Sequence, residues 1–222
     1  MISIEKQQGL LLAISKKLKR PINVYAVGGT AMMFLGFKDA TLDIDLVFEN
    51  KEDKEVFKEA IKSLGYRDMD ATIVYGGRAN SPEMFTLGDE RFDLFVKEVI
   101  DFIFSEEMQK RAKQTHQFEG NLILKVADPN DLLLMKCATD RLKDLDDAKS
   151  IIANFKVDWD LIFKEAQNQK RLGKIRAIFD LGFFLEKLEN KFKIEIPKKI
   201  KDDLWDAVEI DAESKKKVKK QG

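Results

Sequence analysis

The chain has 222 residues, 44% of them hydrophobic and 35% charged, which is enough material for one large domain or two modest ones with a real core. Lys plus Arg and Asp plus Glu both number 39, so no general affinity for nucleic acid can be read from the total, and any basic footprint must be local. The single Cys137 excludes an intramolecular disulfide and the single His116 excludes a histidine-rich metal cage. With no amino-terminal signal and no long apolar run, the cytoplasm is the expected compartment and no membrane partner is expected.

In chain order, apolar residues at helical spacing from Ser3 predict a first helix that stops at Pro21. The β-branched run Ile22 to Val27 predicts a strand, Gly28-Gly29 a turn, and Thr30 to Phe37 a short buried helix. Leu42 to Glu49 alternates as a strand does, and an amphipathic helix follows through Gly65. A polar, glycine-containing stretch, Val74 to Glu83, interrupts before two strands around Gly88-Asp89 that read as a hairpin. A helix from Ser105 to Thr115 would leave His116 at a solvated helix end, and Gly120-Asn121 can turn another hairpin. From Asp128-Pro129, an N-cap followed by proline at the first helical position, the pattern is helical almost throughout. The expectation is a mixed-sheet domain over residues 1–126 and a helical domain over 127–222, ending in a frayed, solvated Lys-rich tail.

On a strand, residues two apart share a face, so Asp43 and Asp45 point together, about 7 Å apart along the backbone, while Leu42, Ile44 and Leu46 face a core. Two carboxylates repel at that spacing. Either both face water on a sheet edge, or a hard divalent cation such as Mg²⁺ replaces the repulsion by attraction. Asp93 favours the second reading. It is a lone acid among Phe92, Leu94 and Phe95, where an unpaired charge is expensive, so a cation or hydrogen-bond donors should meet it. If its strand lies beside the D-x-D strand, three acids converge around one or two Mg²⁺ ions, which fits two-metal phosphoryl or nucleotidyl transfer. Gly28 and Gly29 stand between strand and helix, where free N–H groups favour phosphate and missing side chains allow its approach; a tight turn alone would also need glycine. Thr30 can cap the helix or offer its hydroxyl.

Gly28-Gly29, a short helix, Asp43-x-Asp45 and the later Asp93 resemble the pattern of the DNA polymerase β-like nucleotidyltransferase superfamily. The form Thr41 to Leu46, "TLDIDL", is most similar to its abortive-infection (AbiEii-type) toxin branch, as is the segment Ala127 to Ile152, where a Lys and a Lys-Asp-x-x-Asp element recur. Asp39, with Lys38 beside it, stands where that branch often carries Arg. The resemblance implies an α+β fold, a twisted mixed sheet flanked by helices and followed by a helical domain. It also implies an Mg²⁺-dependent enzyme that passes an NMP from an NTP to a hydroxyl. Asp43 and Asp45 would hold metal on the triphosphate, and Asp93 would bind the second metal and help deprotonate the acceptor. Gly28, Gly29, Thr30 and Lys136 would contact the nucleotide. The acceptor would be an RNA 3′ end, tRNA above all, or a protein hydroxyl, with a cognate antitoxin as partner; a small-molecule acceptor and a non-catalytic binding protein of the same fold are the alternatives.

Lys136 lies on an otherwise apolar helical stretch and so needs a partner, be it phosphate, water reached by snorkelling, or Asp147. Asp144 reads as an N-cap with Asp147 completing a capping-box-like arrangement. Cys137 reads as a small buried residue, and Phe179, Phe183, Phe184, Phe192 and Trp159 as core or interface.

Overall fold

The computed structural model describes residues 1–139 and 141–219, with side chains as far as residue 209. It divides into two compact units, Met1–Leu132 and Leu133–Gly222.

The first unit opens with β1 (Ile2–Ser3) and α1 (Ile4–Ser15), where the Ser3 hydroxyl accepts the Lys6 N–H at 3.3 Å and caps the helix. α1 ends well short of Pro21, and β2 (Ile22–Ala26) follows. Next come α2 (Gly28–Phe34), β3 (Ala40–Thr41), β4 (Ile44–Phe48) and α3 (Lys51–Ser63), the last capped by the Asn50 side chain on the Asp53 N–H at 2.8 Å. β5 (Arg67–Met69) and the one-turn helix α4 (Thr72–Tyr75) lead to the hairpin β6 (Glu83–Leu87) and β7 (Glu90–Val96). β8 (Glu98–Val99), β9 (Phe102–Ile103), α5 (Glu106–Arg111), β10 (Thr115–Phe118) and β11 (Leu122–Val126) complete the order.

The main sheet runs β10-β11-β2-β4-β7-β6-β5, with β8 and β9 appended to β7. β11 pairs parallel with β2 and β4 parallel with β7, while the remaining pairs are antiparallel, so the sheet is mixed. β4 is central and buried on both faces: Ile44, Leu46, Val47 and Phe48 are all inaccessible. Beneath it the rings of Phe48, Phe57 and Phe92 meet at centroid distances of 5.4 and 5.8 Å. Burying each such ring contributes about 1.5–3 kcal/mol and packs α3 onto the hydrogen-bonded β4–β7 pair.

The second unit is helical. α6 (Pro129–Lys136) begins in the first unit, with the Asp128 carboxylate accepting the Asn130 N–H at 2.9 Å. α7 (Leu142–Asn154), α8 (Trp159–Arg171), α9 (Ala177–Phe192) and α10 (Lys198–Lys219) follow. Leu181, Phe184, Leu185 and Leu188 of α9 are buried with Ile162 and Ala166 of α8, whereas Phe179 and Phe183 are exposed and stacked on each other. The Lys-rich stretch expected as a frayed tail is helical as far as Lys219, and its last three residues lie outside the described residues. Among the described residues no helix is long and apolar enough to cross a membrane.

Candidate active site

β4 and β7 run parallel with Asp45 directly opposite Asp93, so the two carboxylates share a face of the sheet as neighbours in register. Asp43 precedes β4 by one residue rather than lying in it, and Leu42 turns outward, 56% exposed, instead of facing the core. The chain bends there, which lets the Asp43 carboxylate come back toward Asp45. One carboxylate oxygen from each of Asp43, Asp45 and Asp93 lies within 4.8 Å of the others. These are hard, anionic oxygens, the donor set Mg²⁺ prefers, and they are close enough to share a cation.

The turn before them is built for this closeness. Gly28 has φ +55°, and a Cβ there would run into the Asp45 carboxylate; a Cβ on Gly29 would strike the Thr41 hydroxyl. Thr30 neither caps α2, whose N-cap is Val27, nor reaches the surface: it is fully buried, and its hydroxyl accepts the Asp45 N–H at 2.8 Å. The Val27 N–H donates to the Asp45 carbonyl at 3.2 Å. Gly28 and Thr30 thus fix where Asp45 sits, and Gly29 leaves room for Thr41.

Protein atoms already meet the acids. The Arg91 guanidinium donates from Nη2 to Asp43 Oδ2 and from Nε to Asp93 Oδ1, the latter at 2.9 Å. Arg91 and Asp93 are two residues apart on β7 and share its face, a pairing that sequence reading passed over although R-x-D on a strand shows it. The Tyr75 hydroxyl, on α4, donates to Asp93 Oδ2 at 2.6 Å. Nothing local to Tyr75 signals this, because the contact joins a loop helix to a strand through the fold. Asp43 also accepts from the Thr41 hydroxyl at 3.2 Å.

Burial pushes the Asp93 carboxyl up, against the pull of Arg91 and the Tyr75 hydroxyl. Burial, Asp45 and Asp93 drive the Tyr75 hydroxyl far above the ordinary phenol range, so it stays a donor. Burial opposes the Arg91 charge, but Asp93 and Asp43 beside it win, and its pKa is raised. The site is therefore an acid triad whose repulsion is held in check by an arginine, with a phenol seated on the deepest acid.

In the second unit the buried Lys136 ammonium lies 2.5 Å from Asp147 Oδ2 and 3.1 Å from Asp144 Oδ1. Asp144 also accepts from Arg141 Nε at 2.8 Å and from the Thr139 hydroxyl. Asp144 is inside α7, whose N-cap is Arg141 with no side-chain cap, so the capping reading of Asp144 and Asp147 is corrected: both acids answer Lys136. The desolvation of a buried ammonium outweighs what a helix cap would gain. His116, expected at a helix end, lies on β10 against the Phe34 ring, centroids 4.6 Å apart. Burial holds its pKa below the usual value. Cys137 is buried, as its apolar setting suggested.

Two strand carboxylates aligned on a mixed sheet, with a third beside them and a glycine turn underneath, agree with the class that the family model gives, a nucleotidyltransferase. The chain belongs to the family described as "Nucleotidyltransferase of unknown function (DUF6036)", whose model matches residues 9–177. No curated protein matches. Among solved structures, the crystal structure of ANT(2″)-Ia in complex with adenylyl-2″-tobramycin is similar over 82% of this chain and 98% of its own, at 15% identity and a TM-score of 0.44.

Proposed function

We propose that the chain transfers an NMP from an NTP to a macromolecular hydroxyl, an RNA 3′ end such as that of tRNA or a protein side chain. In this reading it is a toxin-like enzyme of the AbiEii-type branch with a cognate antitoxin as partner. The observation that carries the reaction is the convergence of Asp43, Asp45 and Asp93, each with an oxygen within 4.8 Å of the others. Asp43 and Asp45 would hold Mg²⁺ beside the triphosphate, and Asp93 would complete the metal site and take up the acceptor proton. The chemistry Mg²⁺ supplies when bound is neutralisation of phosphate charge. The backbone at Gly28 and Gly29 borders the phosphates, and Thr30 keeps Asp45 aimed by its hydrogen bond. Positioning and charge complementarity do most of the remaining work. Lys136 belongs to the nucleotide set through the family resemblance; its own surroundings, Asp144 and Asp147, give it a folding role first.

The test is incubation of the pure protein with each α-labelled NTP, Mg²⁺ and either total RNA or added protein. Label in RNA or in added protein supports the reading and separates its two acceptors. Wild type and Asp45→Asn giving the same, background consumption of every NTP would overturn it.

A further inference from the structure

The loop that carries Tyr75 is held in an unusual way. Of the residues of α4, Thr72, Ile73 and Val74 are exposed, and Tyr75 alone turns inward. Gly76 and Gly77 follow with φ +62° and +73°, and a Cβ on either would meet nothing within 4 Å. The segment is thus lightly packed on its outer side, with two apolar side chains left in water. What ties Tyr75 inward is the 2.6 Å bond from its hydroxyl to Asp93.

That bond has the geometry demanded of a nucleotidyl acceptor. A hydroxyl about to attack phosphorus must donate to a base at roughly 2.6–3.2 Å, and Asp93 is the base of the reading above. Thr41 also donates to an acid of the triad, at 3.2 Å, but it is buried within the β1–β3 pairing and stacked under Gly29, where it has no room to carry a nucleotide. Tyr75 instead sits on a short helix outside the paired strands, beside two glycines at positive φ, so the segment that carries it is not locked into the sheet as Thr41 is.

We propose that Tyr75 is an internal acceptor: the chain nucleotidylylates itself on the Tyr75 hydroxyl. This rests on the nucleotidyltransferase reading. The Tyr75 Oη–Pα bond forms as the bond from Pα to the bridging oxygen of pyrophosphate breaks. Pyrophosphate leaves with the electron pair, and the phenolic proton passes to Asp93. The product is a phosphodiester between tyrosine and an NMP, with the NTP as the only co-reactant.

The experiment uses the full chain. Its intact mass is measured as purified and after incubation with each NTP and Mg²⁺, and any adduct is mapped by peptide sequencing. Added mass of one NMP on the peptide holding Tyr75, absent in Tyr75→Phe and in Asp93→Asn, is the expected result. An adduct on another residue, or an unmodified wild-type chain, overturns the assignment, and neither outcome depends on a variant folding. Transfer to added RNA or protein, run in parallel, separates the two failures: transfer without self-labelling sinks only the internal acceptor. Loss of transfer, together with failure to bind a non-hydrolysable NTP analogue, sinks the nucleotidyltransferase reading with it. Hydrogen exchange gives a readout that needs no turnover. With Mg²⁺ and that analogue bound, the amides of residues 70–81 are expected to keep their protection or gain more. Several-fold faster exchange there would show Tyr75 to be a displaced plug and overturn the proposal.

Discussion

Arg91 decides how the acid triad survives without metal. A guanidinium sits between Asp43 and Asp93, so removing it strands two largely buried carboxylates. Arg91→Gln is therefore expected to destabilise the metal-free protein by about 3 kcal/mol, in the range seen when one partner of a buried pair is deleted. Mg²⁺ should restore much of that loss, so the Mg²⁺-induced rise in melting temperature should be larger in Arg91→Gln than in wild type. Equal rises would mean that Arg91 and the cation do not share these acids. The same contact changes what is expected of the acids themselves. Asp43→Asn breaks an ion pair and should lower stability, whereas Asp45→Asn removes like charge beside Asp43 and Asp93 and should leave the melt unchanged or higher while abolishing NTP turnover. Gly28→Ala meets both a positive φ and the Asp45 carboxylate, and is expected to cost more than 1 kcal/mol in a denaturant titration as well as activity. Asp45 and Asp93 were legible because strand alternation and one assumed strand pairing place them together, whereas Asp43 joins them through a bend rather than by alternation. Leu42 was misread because that alternation fails at the bend before Ile44, which no local pattern announces.

Among the elements, α6 and α7 are joined by charge, through Lys136 with Asp144 and Asp147. Lys136→Met keeps the side-chain volume but leaves Asp147 and Asp144 buried without their ammonium, Asp144 retaining Arg141. The expected loss at neutral pH is about 3 kcal/mol. Its pH dependence follows from Asp144, whose pKa is lowered: burial opposes this, but Lys136, Arg141 and Thr139 prevail. A depressed carboxylate contributes stability above its unfolded value, near 3.9, and loses it as pH falls through the lower folded value. Wild type and Lys136→Met should therefore differ most above about pH 4 and converge in stronger acid; denaturant midpoints at pH 7 and pH 3 check this, and a constant gap would remove the acids from the account. Periodicity found the long helices and the β6–β7 and β10–β11 hairpins. It missed β1, β3, β5, β8 and β9, two- or three-residue strands that exist only because a neighbour pairs with them. His116 shows the same effect, since strand pairing with Leu124 overrode a local sequence that reads as helix.

For the molecule as a whole, each unit has its own core, and the acid triad lies entirely in the first. Loading with Mg²⁺ and a non-hydrolysable NTP should accordingly slow amide exchange around Gly28 to Asp45 and in β7 more than in α8 and α9. Uniform slowing across both units would argue that the ligand stabilises something other than the triad. Both tryptophans, Trp159 and Trp205, belong to the second unit, so intrinsic fluorescence is a poor reporter of this event and exchange or circular dichroism is the better one. The balance of 39 basic and 39 acidic residues hid the site, because its charge is arranged by strand order and does not show in composition.

The parallel pairing of Asp45 with Asp93 also governs which length changes the gene can accept. Side chains alternate along a strand, so one residue added or removed within Ile44–Phe48 or Glu90–Val96 would exchange acids for core residues at the site. Phe92 or Leu94 would then face the cation, and Asp93 would enter the packing around Phe57. The β6–β7 turn at Gly88 is under no such restriction, since the alignment of β7 is set by β4 and not by the hairpin, so extra residues there leave both acids in place. Insertions among relatives of this chain should collect in that turn and spare the two paired strands.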